Sequence, residues 1–199
     1  MNQPTSIDAV ASAVQGEVLD LGGHTSPDGA ITLLFSDIEG STALIEELGE
    51  RPWFDLVRNH NAIVRGVVRA HEGTVVKSQG DGFMLAFASA HSALRCAIEV
   101  ERAFTAPPAG RPDAFKIRIG AHTGYVIEDS DDFYGRNVVL AARIADKASG
   151  GEILVSSAAK QYTESDPTFR FEHRGELRLK GLVGEHSVYA LAWDDQAGG

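Results

Sequence analysis

Apolar positions along the chain fall in short runs separated by glycine- and proline-rich breaks. Ile31 to Phe35 is a short apolar run ending in polar Ser36 and Asp37, the pattern of a buried strand. Gly40-Ser41-Thr42 then opens a short helix that Gly49 closes. From Trp53 to His71 apolar residues recur at 53/54, 56/57, 63/64 and 67/68, a helical spacing stopped by Gly73. Thr74–Gln79 and Phe83–Phe87 read as two strands about Gly80-Asp81-Gly82, a hairpin. Ser89 caps a helix running through Phe104, and Pro107, Pro108, Gly110 and Pro112 form a loop after it. Phe115, Ile117, Ile119 and Ala121 alternate with Lys116, Arg118 and Gly120, as in a half-buried strand. A turn at Gly124 and an acidic loop (Glu128, Asp129, Asp131, Asp132) lead to Gly135 and a helix that ends at Ser149-Gly150-Gly151. Glu152–Ser156, Phe169–Glu172, Glu176–Lys180 and Ser187–Leu191 read as further strands. Alternating strands and helices with tight hairpins predict an α+β fold, a mixed and mainly antiparallel sheet flanked by helices. The polar, small-residue stretch 1–29 reads as a flexible leader, 30–193 as one domain and 194–199 as a tail.

Composition narrows the class. At 199 residues, 43% hydrophobic and 23% charged, the chain suits one globular domain that needs no disulfide or structural metal to fold. One cysteine precludes an intramolecular disulfide framework. Cys96 sits at a helical position beside Ala93 and reads as a buried, inert thiol. No apolar run approaches the roughly 20 residues of a membrane helix. The first basic residue is Arg51, so a cationic secretory leader is not expected and the cytoplasm is the default compartment. Net charge is −10, and residues 1–50 hold nine acids without one Lys or Arg. An acidic chain without a basic stripe argues against nucleic-acid polymers and anionic membranes as partners, but leaves free nucleotides open.

Two short stretches carry candidate chemistry. In Phe35-Ser36-Asp37-Ile38-Glu39-Gly40-Ser41-Thr42, a carboxylate ends a buried strand and Gly-Ser-Thr opens a helix. That arrangement suits a divalent cation beside a phosphate, although alone it reads better as an acidic N-cap to a helix. In Lys77-Ser78-Gln79-Gly80-Asp81-Gly82-Phe83-Met84, Asp81 lies at a hairpin tip, a common site for a turn aspartate. Should the strand of Asp37 neighbour this hairpin, two carboxylates meet at one edge, as two-metal phosphoryl chemistry requires.

FSDIEGST, KSQGDGFM, DFYGRNVVLAARI and RGELRLKG, in that order, resemble the class III nucleotidyl cyclase catalytic domain, in the style of actinobacterial cyclases. The resemblance runs from about Ile31 to Ala192. It implies a ferredoxin-like, palm-type domain working as a homodimer with sites between protomers. It implies that Asp37 and Asp81 bind two divalent cations, Mg²⁺ or Mn²⁺, with the Ile38 carbonyl as a further ligand. Lys77 and Asp132 match the purine-selecting pair, Arg143 the transition-state arginine, and Lys180 the lysine holding the triphosphate. The activity implied is conversion of ATP to 3′,5′-cyclic AMP and pyrophosphate. The Lys77–Asp132 pair fits adenine, because a lysine only donates and an ionised aspartate only accepts, matching N1 and the 6-amino group. Two alternatives stand beside it: a guanylyl or other palm-type cyclase, and a weakly active cyclase-like domain that binds nucleotide as a regulatory dimer. One departure supports the last. Where the family usually has asparagine, four residues before the arginine, this chain has Val139; Asn137 lies about 200° around the helix from it. Tyr125 stands where some members carry a second arginine.

Overall fold

The computed structural model describes residues 5–14, 25–105, 115–125 and 131–194, excepting the side chains of 131–134. The elements are α1 (Ser6–Val14), β1 (Ala30–Ile38), α2 (Ser41–Leu48), α3 (Glu50–Ala70), β2 (Thr74–Gln79), β3 (Gly82–Phe87) and α4 (Ala90–Thr105), followed by β4 (Ile117–Tyr125), α5 (Asp131–Ala145), β5 (Glu152–Ser156), α6 (Ser157–Thr163), β6 (Phe171–Leu177) and β7 (His186–Leu191). One seven-stranded sheet has the order β2-β3-β1-β4-β5-β7-β6. Among the described residues only β4 and β5 pair in parallel. The segment from β1 to β4 has the β-α-β-β-α-β order of a ferredoxin-like unit with β1 at its centre. The α+β expectation holds.

Strand alternation sorts the side chains onto two faces. Leu34 and Ile38 of β1, Phe83, Leu85 and Phe87 of β3, and Ile117 and Ile119 of β4 pack with Val64, Val67, Leu94 and Val100 from α3 and α4. On the other face Ile31, Leu33 and Phe35 meet Met84 and Ala86 under α1 and α5. Asp37 continues the second series, 31-33-35-37, so it belongs to the face that α1 and α5 cover. Helix α5 approaches this face closely: a Cβ on Gly120 would stand 2.2 Å from the Ala145 amide nitrogen.

Three expectations change. The segment read as a flexible leader contains α1, whose Ile7, Val10 and Val14 follow helical spacing and are buried against the sheet. The two strands expected at Phe169–Glu172 and Glu176–Lys180 are one, β6, irregular between His173 and Gly175. Helix α6 went unread; Ser156 caps it by accepting the Ala159 amide at 3.1 Å. The proline-rich loop 107–112 and residues 128–130 of the acidic loop lie outside the described residues. Among the described residues no helix is long and apolar enough to cross a membrane.

Candidate active site

β1 and the β2–β3 hairpin bring Asp37 and Asp81 together. β3 pairs with β1 from Thr32↔Phe87 to Ser36↔Phe83, which places the hairpin tip beside the end of β1. There Asp81 Oδ2 accepts the Ile38 amide at 2.9 Å. From behind, Asn61 of α3 donates Nδ2 to the Gly80 carbonyl at 3.0 Å and steadies the same tip. Both carboxylates are buried, Asp37 at 1% exposure and Asp81 at 3%. Desolvation pushes the Asp37 carboxyl up to about 6, against the opposing pull of Arg118; the charges of Asp81 and Asp146 add to the rise. Ser36 Oγ, on the opposite face of β1 from Asp37, is buried and makes no hydrogen bond among the described residues.

Sequence reading missed Arg118. Its Nε and Nη2 donate to Asp37 Oδ1 and Oδ2 at 2.9 and 2.7 Å, a bidentate clamp. Register explains it, since β1 and β4 pair Asp37 directly with Arg118 on one face. The signal in the sequence was an arginine alternating with apolar residues in a strand, which becomes legible only once that strand is paired with β1.

Arg143 projects from the last turn of α5 toward the same face. Its Nη1 donates to Asp8 of α1 at 2.6 Å and to Asp146 at 2.7 Å, while its buried Nε makes no hydrogen bond among the described residues. Lys77 is half-buried on edge strand β2. Lys180 is exposed in the connection after β6, the opposite edge strand. Asp132 lies in the first turn of α5, and its side chain is outside the described residues. The chain therefore gathers Asp37, Ile38 and Asp81 at one point, holds Arg143 on the helix above, and keeps Lys77 and Lys180 near opposite edges.

Asn137 does not take the place of an asparagine at Val139. Its Oδ1 pairs with His122 Nε2 at 3.0 Å and its Nδ2 donates to the Tyr125 carbonyl at 3.2 Å. His122 Nδ1 meets Ser156 Oγ at 2.9 Å, and burial lowers the imidazole to about 4, so it is neutral near pH 7. This network ties α5 and α6 to β4. Tyr125, half-exposed, exchanges a hydroxyl hydrogen bond with Tyr162 at 2.8 Å.

The family model described as the adenylate and guanylate cyclase catalytic domain matches residues 24–192. The chain belongs to this family. It is 27% identical to putative adenylate cyclase 3 of Rhizobium meliloti over 81% of its own length and 27% of that protein's. It is 32% identical to the uncharacterized protein Rv2212 of Mycobacterium tuberculosis, over 85% of its own length and 43% of that protein's. The cyclase domain thus spans less than half of either relative. Its fold superimposes on the crystal structure of the adenylyl cyclase CyaB from P. aeruginosa with a TM-score of 0.73 at 25% identity, covering 85% of this chain and 97% of that one. An adenylate cyclase of Trypanosoma brucei, solved in its monomeric state, gives 0.75 at 26% identity, covering 84% and 89%.

Hard, buried carboxylate oxygens at Asp37 and Asp81 suit Mg²⁺ or Mn²⁺. Among the described residues no third His, Cys, Asp or Glu joins them as a metal cluster. Backbone and nucleotide oxygens would complete the shell.

Proposed function

We propose that this cyclase domain is an adenylyl cyclase, forming 3′,5′-cyclic AMP and pyrophosphate from ATP at sites shared by two protomers. The observation that carries the reading is the meeting of Asp37 and Asp81 at the end of β1, fixed by the Ile38 amide. Relatives named as adenylate cyclases support the choice of reaction. Asp37, Asp81 and the Ile38 carbonyl would hold the divalent cations. Bound there, two cations supply activation of the ribose 3′-hydroxyl and neutralise charge on the triphosphate. The 3′-hydroxyl would give up its proton to water, its oxygen bonding to the α-phosphorus as the bond to the pyrophosphate oxygen breaks. Arg143 would meet the charge developing on the α-phosphate, and Lys180 the charge on the departing pyrophosphate. Lys77 and Asp132 would orient adenine.

Guanine reverses the donor and acceptor pattern at the edge those two residues face. Replacing Lys77→Glu and Asp132→Gly together should abolish the preference for ATP and confer GTP cyclisation, measured by resolving cyclic AMP from cyclic GMP. Unchanged selectivity would mean that other residues read the purine.

Site sharing makes its own prediction. Asp37→Ala and Arg143→Ala chains should each be nearly inactive, yet a heterodimer of them would hold one site with wild-type Asp37 and Arg143. Mixing equal amounts with free exchange should restore about a quarter of wild-type activity, by the symmetry of an isologous pair. No recovery, with heterodimers confirmed by differently tagged chains, contradicts the shared site. A second reading, a nucleotide-binding regulatory dimer of low turnover, draws on Val139 and on the structural engagement of Asn137. Tight ATP binding without cyclic product would favour it.

A further inference from the structure

Helix α1 sets two polar side chains against Asp81 and Arg143 of its own chain, which in the shared-site arrangement serve the two centres of the dimer. Ser6 Oγ donates to Asp81 Oδ1 at 2.6 Å, and Asp8 Oδ1 accepts Arg143 Nη1 at 2.6 Å. These residues stand in one helical turn, two positions apart. Behind them Ile7, Val10, Ala11 and Val14 are buried with Phe35, Met84 and the α5 alanines. The seat is close: a Cβ on Gly82, next to Asp81, would stand 2.8 Å from the Ser6 carbonyl oxygen.

The chemistry of the two contacts matches what a nucleotide and its cation would bring. A hydroxyl hydrogen faces an Asp81 oxygen, where a cation would compete for the same lone pair. A carboxylate faces the Arg143 guanidinium, whose fork of N–H groups donates to carboxylate and phosphate oxygens alike. The ion pair is partly shielded, with side-chain exposures of 22% for Arg143 and 31% for Asp8. Apolar burial along the rest of the helix holds both groups in place without any ligand.

We propose that α1 is an internal competitor for the cation and nucleotide: docked, its first turn fills the face on which Asp81 and Arg143 act, and substrate binds once it leaves. The competition rests on the site assignment above. It makes apparent substrate affinity the intrinsic affinity reduced by the fraction of undocked chains, while leaving the rate at saturation unchanged.

The test compares the full-length wild type with a Ser6→Ala/Asp8→Ala double variant and, separately, Val10→Glu, which undocks the apolar side. Mn²⁺ binding is read by electron paramagnetic resonance of the free ion, with and without ATP. Amide hydrogen exchange of residues 6–14 is followed in the wild type as Mn²⁺ and ATP are added. Removing an ion pair and a hydrogen bond should tighten Mn²⁺·ATP binding about tenfold and lower KM equally at constant kcat. Saturating Mn²⁺·ATP should speed exchange in α1. Equal or weaker binding by the double variant, or exchange in α1 that slows or stays constant, overturns the proposal. Those two measurements suffice even if Val10→Glu fails to fold. Tighter binding without cyclic product would uphold the competitor and remove the cyclase reading. Cyclic product with unchanged affinity would do the reverse.

Discussion

Glu101 shows how strongly single burials weigh in this chain. It lies in α4 at 2% exposure, and its Oε1 makes no hydrogen bond among the described residues. Desolvation pushes its carboxyl from 4.5 to about 8. The folded chain therefore keeps a proton up to about pH 8 that the unfolded chain releases near 4.5. Stability from this group is complete below the lower value and lost as pH rises through the upper one. Glu101→Gln, neutral at every pH, should melt above the wild type at pH 9, with the gap closing toward pH 5. A gap that does not vary with pH would contradict the assignment. Asp37 shares the same upward push from burial, but Arg118 opposes it on both oxygens. A buried acid with a cation beside it is poised for exchange of partners, whereas Glu101 has only a proton to take.

At the scale of elements, the approach of α5 to β4 decides where Arg143 lies. Gly120 faces Ala145, one turn beyond Ala141 and Ala142, so a small-residue seam lets the helix settle onto the strand. Gly120→Ala forces the backbone of α5 outward and should lower Tm by about 5–10 °C while reducing any Arg143-dependent activity. An unchanged Tm in a calorimetric scan would show that the seam has slack. Most strands and the three longest helices were legible because their periods are local: 53/54 to 67/68 in α3, the alternation from Phe115 to Ala121 in β4, and Gly-Asp-Gly between β2 and β3. The elements that escaped are short or interrupted. In α1, Ile7, Val10 and Val14 keep a helical spacing, but over only 9 residues and among the Ala and Ser that make the stretch read as a leader. The run of β6 was broken by Gly175, which the structure absorbs as a strand irregularity with φ +111°. At the site, Asp37 and Asp81 were readable from motif and turn chemistry. Arg118 was not, because its role comes from a pairing between strands 81 positions apart.

The whole molecule is an acidic α+β domain with two differently used faces. One face of the sheet is sealed by α3, α4 and α6 around a large apolar cluster. The other carries Asp37, Asp81 and Arg118 beneath α1 and α5, which bring Asp8 and Arg143 to it, with Asp146 just after α5. Concentrating carboxylates on that face suits cations first and a polyphosphate through them, in a chain whose net charge of −10 would otherwise repel ATP. In the proposed function, Asp37 and Asp81 together make this face a cyclising centre. Its most direct measurement incubates the wild-type chain, Asp37→Ala and Asp81→Ala with ATP and Mn²⁺, and resolves cyclic AMP and pyrophosphate by chromatography. Equimolar cyclic AMP and pyrophosphate are expected from the wild type, with loss of both by more than about a hundredfold in each folded variant. Cyclic AMP from either variant within about tenfold of wild type would contradict the claim.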